Sequence, residues 1–379
     1  MLGLRTACSS RSRAAVGLLA HRTPLACSSL RQYSTLPKEP FKILFCGSDE
    51  FSVAILKELL LAEDTWQTIS VLTPPERQVG RGGKQLYVPP LKAFAHDAAL
   101  TTHTVPTTGL KGEDYTWPRP FLTPHGAHLL VTASFGHIIP SRLLDPFTHT
   151  LNVHPSVLPR YRGAAPVQWA IANRDPTTGV SVQTVGKREV GVDSGHILGA
   201  VEDVPIPDHA TYGTLLPELS ELGGKLLVQV LRRMIADEVV PRPQDSAAAT
   251  RAPKITSDMS RVDWTLPAAS IEARNRAWGE HTRLWSQVDT PTRGSITFQL
   301  GDLGLASTDT LPGWMAKFPD PEPATAFLDK RNKRILVATG DGFVQVKSVI
   351  PAAKTRMEVT NWFLALDKDA AAKGWTKFV

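Results

Sequence analysis

Short apolar runs alternate with stretches of helical spacing over the first two thirds of the chain. FKILFC (41–46) stops at Gly47, and Phe51, Ile55, Leu56, Leu59 and Leu60 then fall on one helical face. The runs TISVLT (68–73), HLLVTAS (128–134), HTLNVH (149–154), SVQTV (181–185) and HILGAV (196–201) have the length and composition of strands. Pro155 ends the third of these. PPERQVGRGGKQLYVPP (74–90) is polar and rich in Gly and Pro, which predicts a loop; Leu91–Ala99 after it reads as helical. Thr211 to Ala236 keeps the spacing of a long amphipathic helix despite Pro217. Strands alternating with helices predict an α/β domain with a mostly parallel sheet.

The pattern changes at PRPQDSAAATRAPK (241–254), which predicts a linker. RVDW (261–264) and a short helical stretch (267–277) follow it. TRLWSQV (282–288), GSITFQL (294–300), RILVAT (334–339) and GFVQVKSV (342–349) then read as short strands between Gly turns, the pattern of a small β-barrel. Pro319–Pro323 reads as an added loop. Trp264, Trp278 and Trp285 are expected in the core, because aromatics fill small barrels. The expected organisation is an N-terminal segment (1–36), an α/β domain (41–240), a linker (241–255) and a barrel (256–379).

Composition narrows the class. Of 379 residues, 42% are hydrophobic and 21% charged, as in ordinary globular proteins. No apolar run is long enough to span a bilayer, so no membrane association is expected. Three cysteines without C-x-x-C spacing make neither a disulfide scaffold nor a usual zinc site. The net charge of +6 is uneven. Residues 1–37 hold five arginines and no acid; residues 38–249 hold 19 basic and 22 acidic residues; residues 250–379 hold 18 basic and 14 acidic. The basic C-terminal third fits either a polyanion or a merely solvated surface. The first 36 residues, rich in Arg and Ser with Leu spread among them, have the composition of a mitochondrial transit peptide. Arg31-Gln32-Tyr33-Ser34 resembles a processing site cut after Tyr33, and the mitochondrial matrix is the expected location.

Several chemical motifs fail. The first turn is not G-x-G-x-x-G, so a dinucleotide site lacks its fingerprint. GRGGKQ (80–85) misses a phosphate loop at Gln78 and Gln85, and TASFG (132–136) misses a nucleophile elbow at Thr132. His125 and His128 read as a surface turn, so no metal is expected. The richest stretch is LNVHPSVLPRYRGAAPVQWAI (151–171). Asn152 and His154 lie two apart at a strand end and project to one side. Asp193, in GVDSGHIL (191–198), can join them at the carboxyl edge of a sheet. An amide, an imidazole and a carboxylate suit a tetrahedral oxyanion, and the set lacks an obvious nucleophile. By spacing alone the same residues are equally a satisfied Asn–His pair ending a strand.

These segments resemble the folate-dependent formyltransferase family. The likeness runs through FKILFCGSDEF, VGRGGK, ASFGHIIP, NVHPSVLPRYRGAAP and VGVDSGHIL, and past the linker through RAPKITSDMSRVDW and GDGFVQVKSVIPAAKTRM. It is greatest to the branch that formylates methionine on initiator methionyl-tRNA. The resemblance implies a Rossmann-like catalytic domain and an OB-like barrel lying along the tRNA. It implies 10-formyltetrahydrofolate as donor, no metal, direct transfer without a covalent intermediate, and Asn152, His154 and Asp193 as the catalytic trio. It implies folate contacts from Phe135 and Gly136 and from the Ser156-Val157-Leu158-Pro159 turn, and tRNA contacts from Arg81 and Lys84. A monomer is expected. Gly186-Lys187-Arg188 reads as a small insertion before the Asp193 loop. Competing readings are formyl transfer to a small amine (a purine precursor or an amino sugar), an RNA-binding module without catalysis, and a dinucleotide oxidoreductase.

Overall fold

The computed structural model describes residues 39–80, 82–186 and 191–379. The expected transit peptide with its cleavage point after Tyr33, the tRNA-contacting candidate Arg81, and Lys187 and Arg188 of the insertion lie outside the described residues.

The chain begins with β1 (Phe41–Gly47), α1 (Glu50–Leu61) and β2 (Trp66–Thr73). A hairpin of β3 (Arg77–Val79) and β4 (Gln85–Tyr87), the helix α2 (Pro90–Asp97) and β5 (Thr101–Thr104) follow. Then come β6 (His125–Ala133), β7 (Phe147–His154), α3 (Pro166–Ala172), β8 (Thr177–Thr184), β9 (Ile197–Pro205) and α4 (Tyr212–Ile235). One seven-stranded sheet takes the order β5-β2-β1-β6-β7-β8-β9. The pairs from β5 to β7 are parallel, and β8 and β9 are antiparallel. The apolar runs at β1, β6 and β7 are its buried centre.

The edge strand β5 is TTHT, with no apolar residue to announce it. The hairpin β3–β4 sits inside the stretch expected to be a loop; Gly80, in the left-handed region, accepts from the amide of Gly83 across its tip.

Two caps fix the ends of the helices. The Asp49 carboxylate accepts from the amide of Ser52 at the start of α1, and Thr211 and Thr214 form a reciprocal box at the start of α4. Pro217 is tolerated in α4 because the bond it forfeits is to the carbonyl of Gly213, in the exposed first turn. Gly223 and Gly224 let α4 lie close to the sheet and α1. A Cβ on Gly224 would fall 2.7 Å from the Glu58 Cβ.

The chain continues through α5 (Ala268–Trp278), β10 (Trp285–Thr290), β11 (Gly294–Leu305), β12 (Thr325–Asp329), β13 (Arg334–Ala338), β14 (Phe343–Pro351), β15 (Met357–Glu358), α6 (Val359–Leu364), α7 (Lys368–Lys373) and β16 (Trp375–Lys377). The antiparallel order is β10-β11-β14-β13-β12-β16, and a bridge between Val288 and Phe378 joins its ends into a nearly closed barrel. Phe298, Phe378, Trp362 and Trp264 fill it, with ring centroids 4.5–6.3 Å apart. Trp264 and Trp278 are buried as expected; Trp285 is half-buried and donates to the carbonyl of Ser257.

The segment expected as a linker is a packed strap. The Ala252 amide donates to the carbonyl of Arg162, the Arg162 amide donates to the carbonyl of Thr250, the Ala165 amide donates to the carbonyl of Ala252, and Ile197 and Arg242 exchange a pair of backbone bonds. Trp169 of α3 donates to the carbonyl of Pro253 and stacks obliquely on Trp278 of α5.

Candidate active site

The strand order reverses direction at β1: β2 lies on one side and β6 on the other. Open α/β sheets bind ligands outside the carboxyl ends of their strands at such a point. A cavity of about 550 Å³ opens there. Asp49 after β1, Ser134 and Phe135 after β6, and Asn152 and His154 at the end of β7 line it.

Register explains the polar end of the cavity. Thr132 pairs with Asn152 across β6–β7, and Asn152 pairs with Gln183 across β7–β8, so three polar side chains form one row. The Thr132 hydroxyl donates to Asn152 Oδ1 at 2.8 Å. That leaves Asn152 Nδ2 turned inward, 3.4 Å from Asp193 Oδ1. Gln183 Nε2 donates to the same oxygen at 3.0 Å, and the amide of Gly163 donates to Asp193 Oδ2 at 2.9 Å. His154, two residues beyond Asn152, has Nδ1 3.8 Å from Asp193 Oδ2. The three residues singled out from the sequence therefore meet in one place.

The other imidazole nitrogen is engaged. His154 Nε2 lies 2.9 Å from the carbonyl oxygen of Tyr161, an acceptor only, so Nε2 carries the proton. In the neutral ring Nδ1 is then a lone pair facing the cavity. In the charged ring it is a donor facing a carboxylate. His154 Nδ1 therefore accepts when the ring is neutral and donates only in the imidazolium, while Nε2 donates to the Tyr161 carbonyl in both.

The remaining candidates divide. Phe135 and Gly136 line the cavity. The Ser156-Val157-Leu158-Pro159 turn does not; on that segment the wall ends at Pro155 and resumes at Gly163. Its groups are used internally, with Ser156 donating to the carbonyl of Arg160 and the Leu158 amide donating to Ser181. Pro155 and Pro159 turn the chain away from the cavity before it returns at Gly163. Lys84 is exposed at the tip of the β3–β4 hairpin and is not a wall residue. Gly186, first residue of the expected insertion, does line the cavity.

Asp49 lines the same cavity, and burial pushes its carboxyl above its usual range, although the Ser52 amide and Ser134 pull it down. Tyr212, on the same wall, is pushed up to about 12 by burial and then by the charges of Asp49 and Glu280. Burial also lowers His137. Among the described residues no three His, Cys, Asp or Glu side chains are gathered to hold a metal. His125 and His128 face each other's rings at 5.0 Å, beside Phe121 and Phe147.

Sequence reasoning missed Thr132, Gln183 and Gln244. The last donates from the strap to the carbonyls of Asp193 and Gly195.

Comparison with known proteins decides what these residues are part of. Residues 41–231 match the formyl transferase family, and residues 254–366 match the formyl transferase C-terminal domain. Methionyl-tRNA formyltransferase of Streptococcus thermophilus is 32% identical over 323 residues, covering 85% of this chain and 94% of that enzyme. The chain belongs to the methionyl-tRNA formyltransferase family. The enzyme of that name from Streptococcus pyogenes is 31% identical over 321 residues, again 85% of this chain and 94% of the relative. The formyltransferase fold extends to more distant structures. WlaRD, a sugar 3N-formyl transferase, superposes with a TM-score of 0.52 at 16% identity, over 83% of this chain and 99% of that one. HypX from Aquifex aeolicus does so with a TM-score of 0.51 at 18% identity, over 86% of this chain and 48% of its own. Members of the family are enzymes of formyl transfer, and in this one Asn152, His154 and Asp193 stand at the carboxyl edge of the shared sheet.

Proposed function

We propose that this protein transfers the formyl group of 10-formyltetrahydrofolate to the α-amino group of methionine on initiator methionyl-tRNA, and does so in the mitochondrial matrix for translation initiation. The observation that carries the reaction is the meeting of Asn152, His154 and Asp193 at one end of a cavity large enough for a folate-sized ligand. Phe135, Ile139 and Gly136 give the cavity an apolar wall of the kind a flat heterocycle needs. The curated relatives of that name support the acceptor. The acid-free, Arg-rich first 36 residues support the location.

The folate supplies an activated formyl group when bound. Asn152 Nδ2, aimed by Thr132, donates to the formyl oxygen as it gains negative charge. Removing one such donor typically costs about 10²–10³ in rate. His154 Nδ1 takes the proton released by the attacking amine and returns it to the departing folate nitrogen. Asp193 stabilises the imidazolium between those two transfers. The carbon–nitrogen bond to methionine would form first, and the bond to the folate nitrogen would break as that nitrogen takes the proton from His154; no covalent link to the protein is needed. Lys84 on the hairpin, Arg81 and the basic C-terminal third would meet tRNA phosphates, so binding should weaken with salt.

The test mixes residues 34–379 with labelled 10-formyltetrahydrofolate and methionyl-tRNA. Label on the aminoacyl-tRNA is the expected result, and His154→Ala and Asn152→Ala should each abolish most of it. Transfer to a small amine instead of tRNA would overturn the acceptor. Near-normal turnover by His154→Ala would overturn the catalytic scheme. Residues 1–36 fused to a reporter should direct it into isolated mitochondria; a reporter left outside would remove the location.

A further inference from the structure

The amide groups behind Asp193 are ordered in one direction. Arg162 Nε and Nη2 both donate to Gln244 Oε1, at 2.9 and 2.7 Å. A guanidinium is only a donor, so the oxygen of Gln244 must face it and Nε2 must face the other way. Gln244 Nε2 meets three acceptors: the carbonyl of Asp193 at 2.9 Å, the carbonyl of Gly195 at 2.7 Å and Gln183 Oε1 at 3.1 Å. Gln183 therefore turns its own oxygen toward the strap, where the amide of Gly195 also donates to it at 3.2 Å. Its Nε2 is left pointing at Asp193 Oδ1.

We infer that Arg162, Gln244 and Gln183 form a directional hydrogen-bond relay that fixes the orientation of the Asp193 carboxylate. Gln244 and Arg162 are its positioning residues. The relay rests on the formyl-transfer role proposed for Asp193. Each step has one outcome. A permanent cation sets the first amide, the first amide sets the second, and the second can only donate to the carboxylate. Asp193 stands in the left-handed backbone region, φ 53°, and its backbone carbonyl is held by Gln244 as well, so the relay grips the residue at both ends. Gly195 lets the Asp193 loop lie against β8, since a Cβ there would overlap the carbonyl oxygen of Thr184. Gln183 is buried, so its amide is oriented by these protein partners. The strap thus does more than connect two parts of the chain: it delivers the side chain that orders the catalytic carboxylate.

The relay makes an unusual ranking among variants. Gln244→Glu keeps the shape and gains an ion pair with Arg162, but it sets an oxygen against three acceptors, so stability falls whichever role Gln244 plays and kcat is the deciding readout. In the relay this variant is the severe one for kcat, because a carboxylate has no proton for Gln183 Oε1. Gln183 then turns over and presents its oxygen to Asp193. Gln244→Ala leaves space that water can fill and should do less harm. Steady-state formyl transfer should show kcat lowered about 100-fold by Gln244→Glu and about tenfold by Gln244→Ala, with both KM values within about twofold, as a displaced catalytic group demands. Arg162→Met, which frees Gln244 to turn, should also lower kcat at unchanged KM. Gln244→Glu as active as Gln244→Ala, a loss confined to KM, or unchanged kcat in Arg162→Met would each overturn the relay. A wild-type protein that formylates a small amine and not methionyl-tRNA overturns the acceptor alone, and the ranking is then read with that amine.

Discussion

A methyl group on Gly163 would sit 2.5 Å from the carbonyl oxygen of Ala252, and the residue holds φ at 131°, where side chains are strained. The same residue donates its amide to Asp193 Oδ2. Gly163→Ala is therefore expected to lose on two counts. It should lower stability by about 1–3 kcal/mol through the clash with the strap, and it should cut kcat by shifting the amide from the carboxylate. Urea midpoints and initial rates on one preparation check this; a variant with normal rate and midpoint would show the close approach to be dispensable. The spacing placed Asn152, His154 and Asp193 at one sheet edge but fitted a satisfied strand end equally well, and only the family resemblance chose between the two readings. Gln183 was hidden inside SVQTV, where strand alternation counts it as one more polar position although it is buried. Thr132 read only as the residue that spoils an elbow motif. Neither cross-strand register nor burial is written in the spacing of a single segment.

At the scale of elements, the apolar periodicity located β1, β2, β6, β7, α1 and α4 to within a few residues, because each is buried on the face its pattern marks. The failures share a cause. β5, β3 and β4 are polar edges that hold by backbone pairing, which leaves no hydrophobic signature. The strap 241–254 reads as a linker because it is held by backbone groups, Gln244 and the Thr250 hydroxyl, none of which leaves a hydrophobic pattern. Helix α4 shows the opposite case. Two adjacent glycines cost a helix about 1 kcal/mol each relative to alanine, yet they sit where α4 crosses α1 and the sheet. A Cβ at Gly224 would meet Glu58 Cβ and Cγ at 2.7 Å and the Ile55 backbone at 3.3 Å. Gly224→Val should destabilise the fold by about 1–3 kcal/mol by overpacking. Its urea midpoint should fall with the slope unchanged, and its activity at low temperature should stay near normal, since the contact is far from the carboxyl edge. An unchanged midpoint would mean that the two helices have room to separate.

For the whole molecule, the fold alone does not name the acceptor, since it is shared with a sugar 3N-formyl transferase over 83% of this chain. The acceptor reading rests on the curated relatives, and the transfer assay tests it. What the two sheets do determine is the response of the fold to acid, because their buried titratable groups act in different windows. In the barrel, burial works against the Asp329 carboxylate, but donors from Asn332 and Arg334 outweigh it and hold the group below its usual 3.8. Its contribution is present above that value and is lost only as pH falls through the lower folded one. In the α/β sheet, burial pushes His149 of β7, edge-on to Phe41, down to about 4 from an ordinary 6.5. Below pH 6.5 the unfolded chain takes up a proton that folded His149 refuses. Stability should then fall by about 1.4 kcal/mol per pH unit for that one proton and level off near pH 4. Burial also lowers His103, His128 and His137, so the total slope should exceed one proton. His149→Leu should flatten the decline between pH 6.5 and 4 by up to one proton, and should leave the loss below pH 4 in place. Arg334→Ala should instead lower stability by about 3–5 kcal/mol near neutrality, by stranding a buried carboxylate. Urea titrations from pH 7.5 to 3.5 separate the two, and a wild-type slope in His149→Leu would mean that this imidazole is solvated in the folded protein.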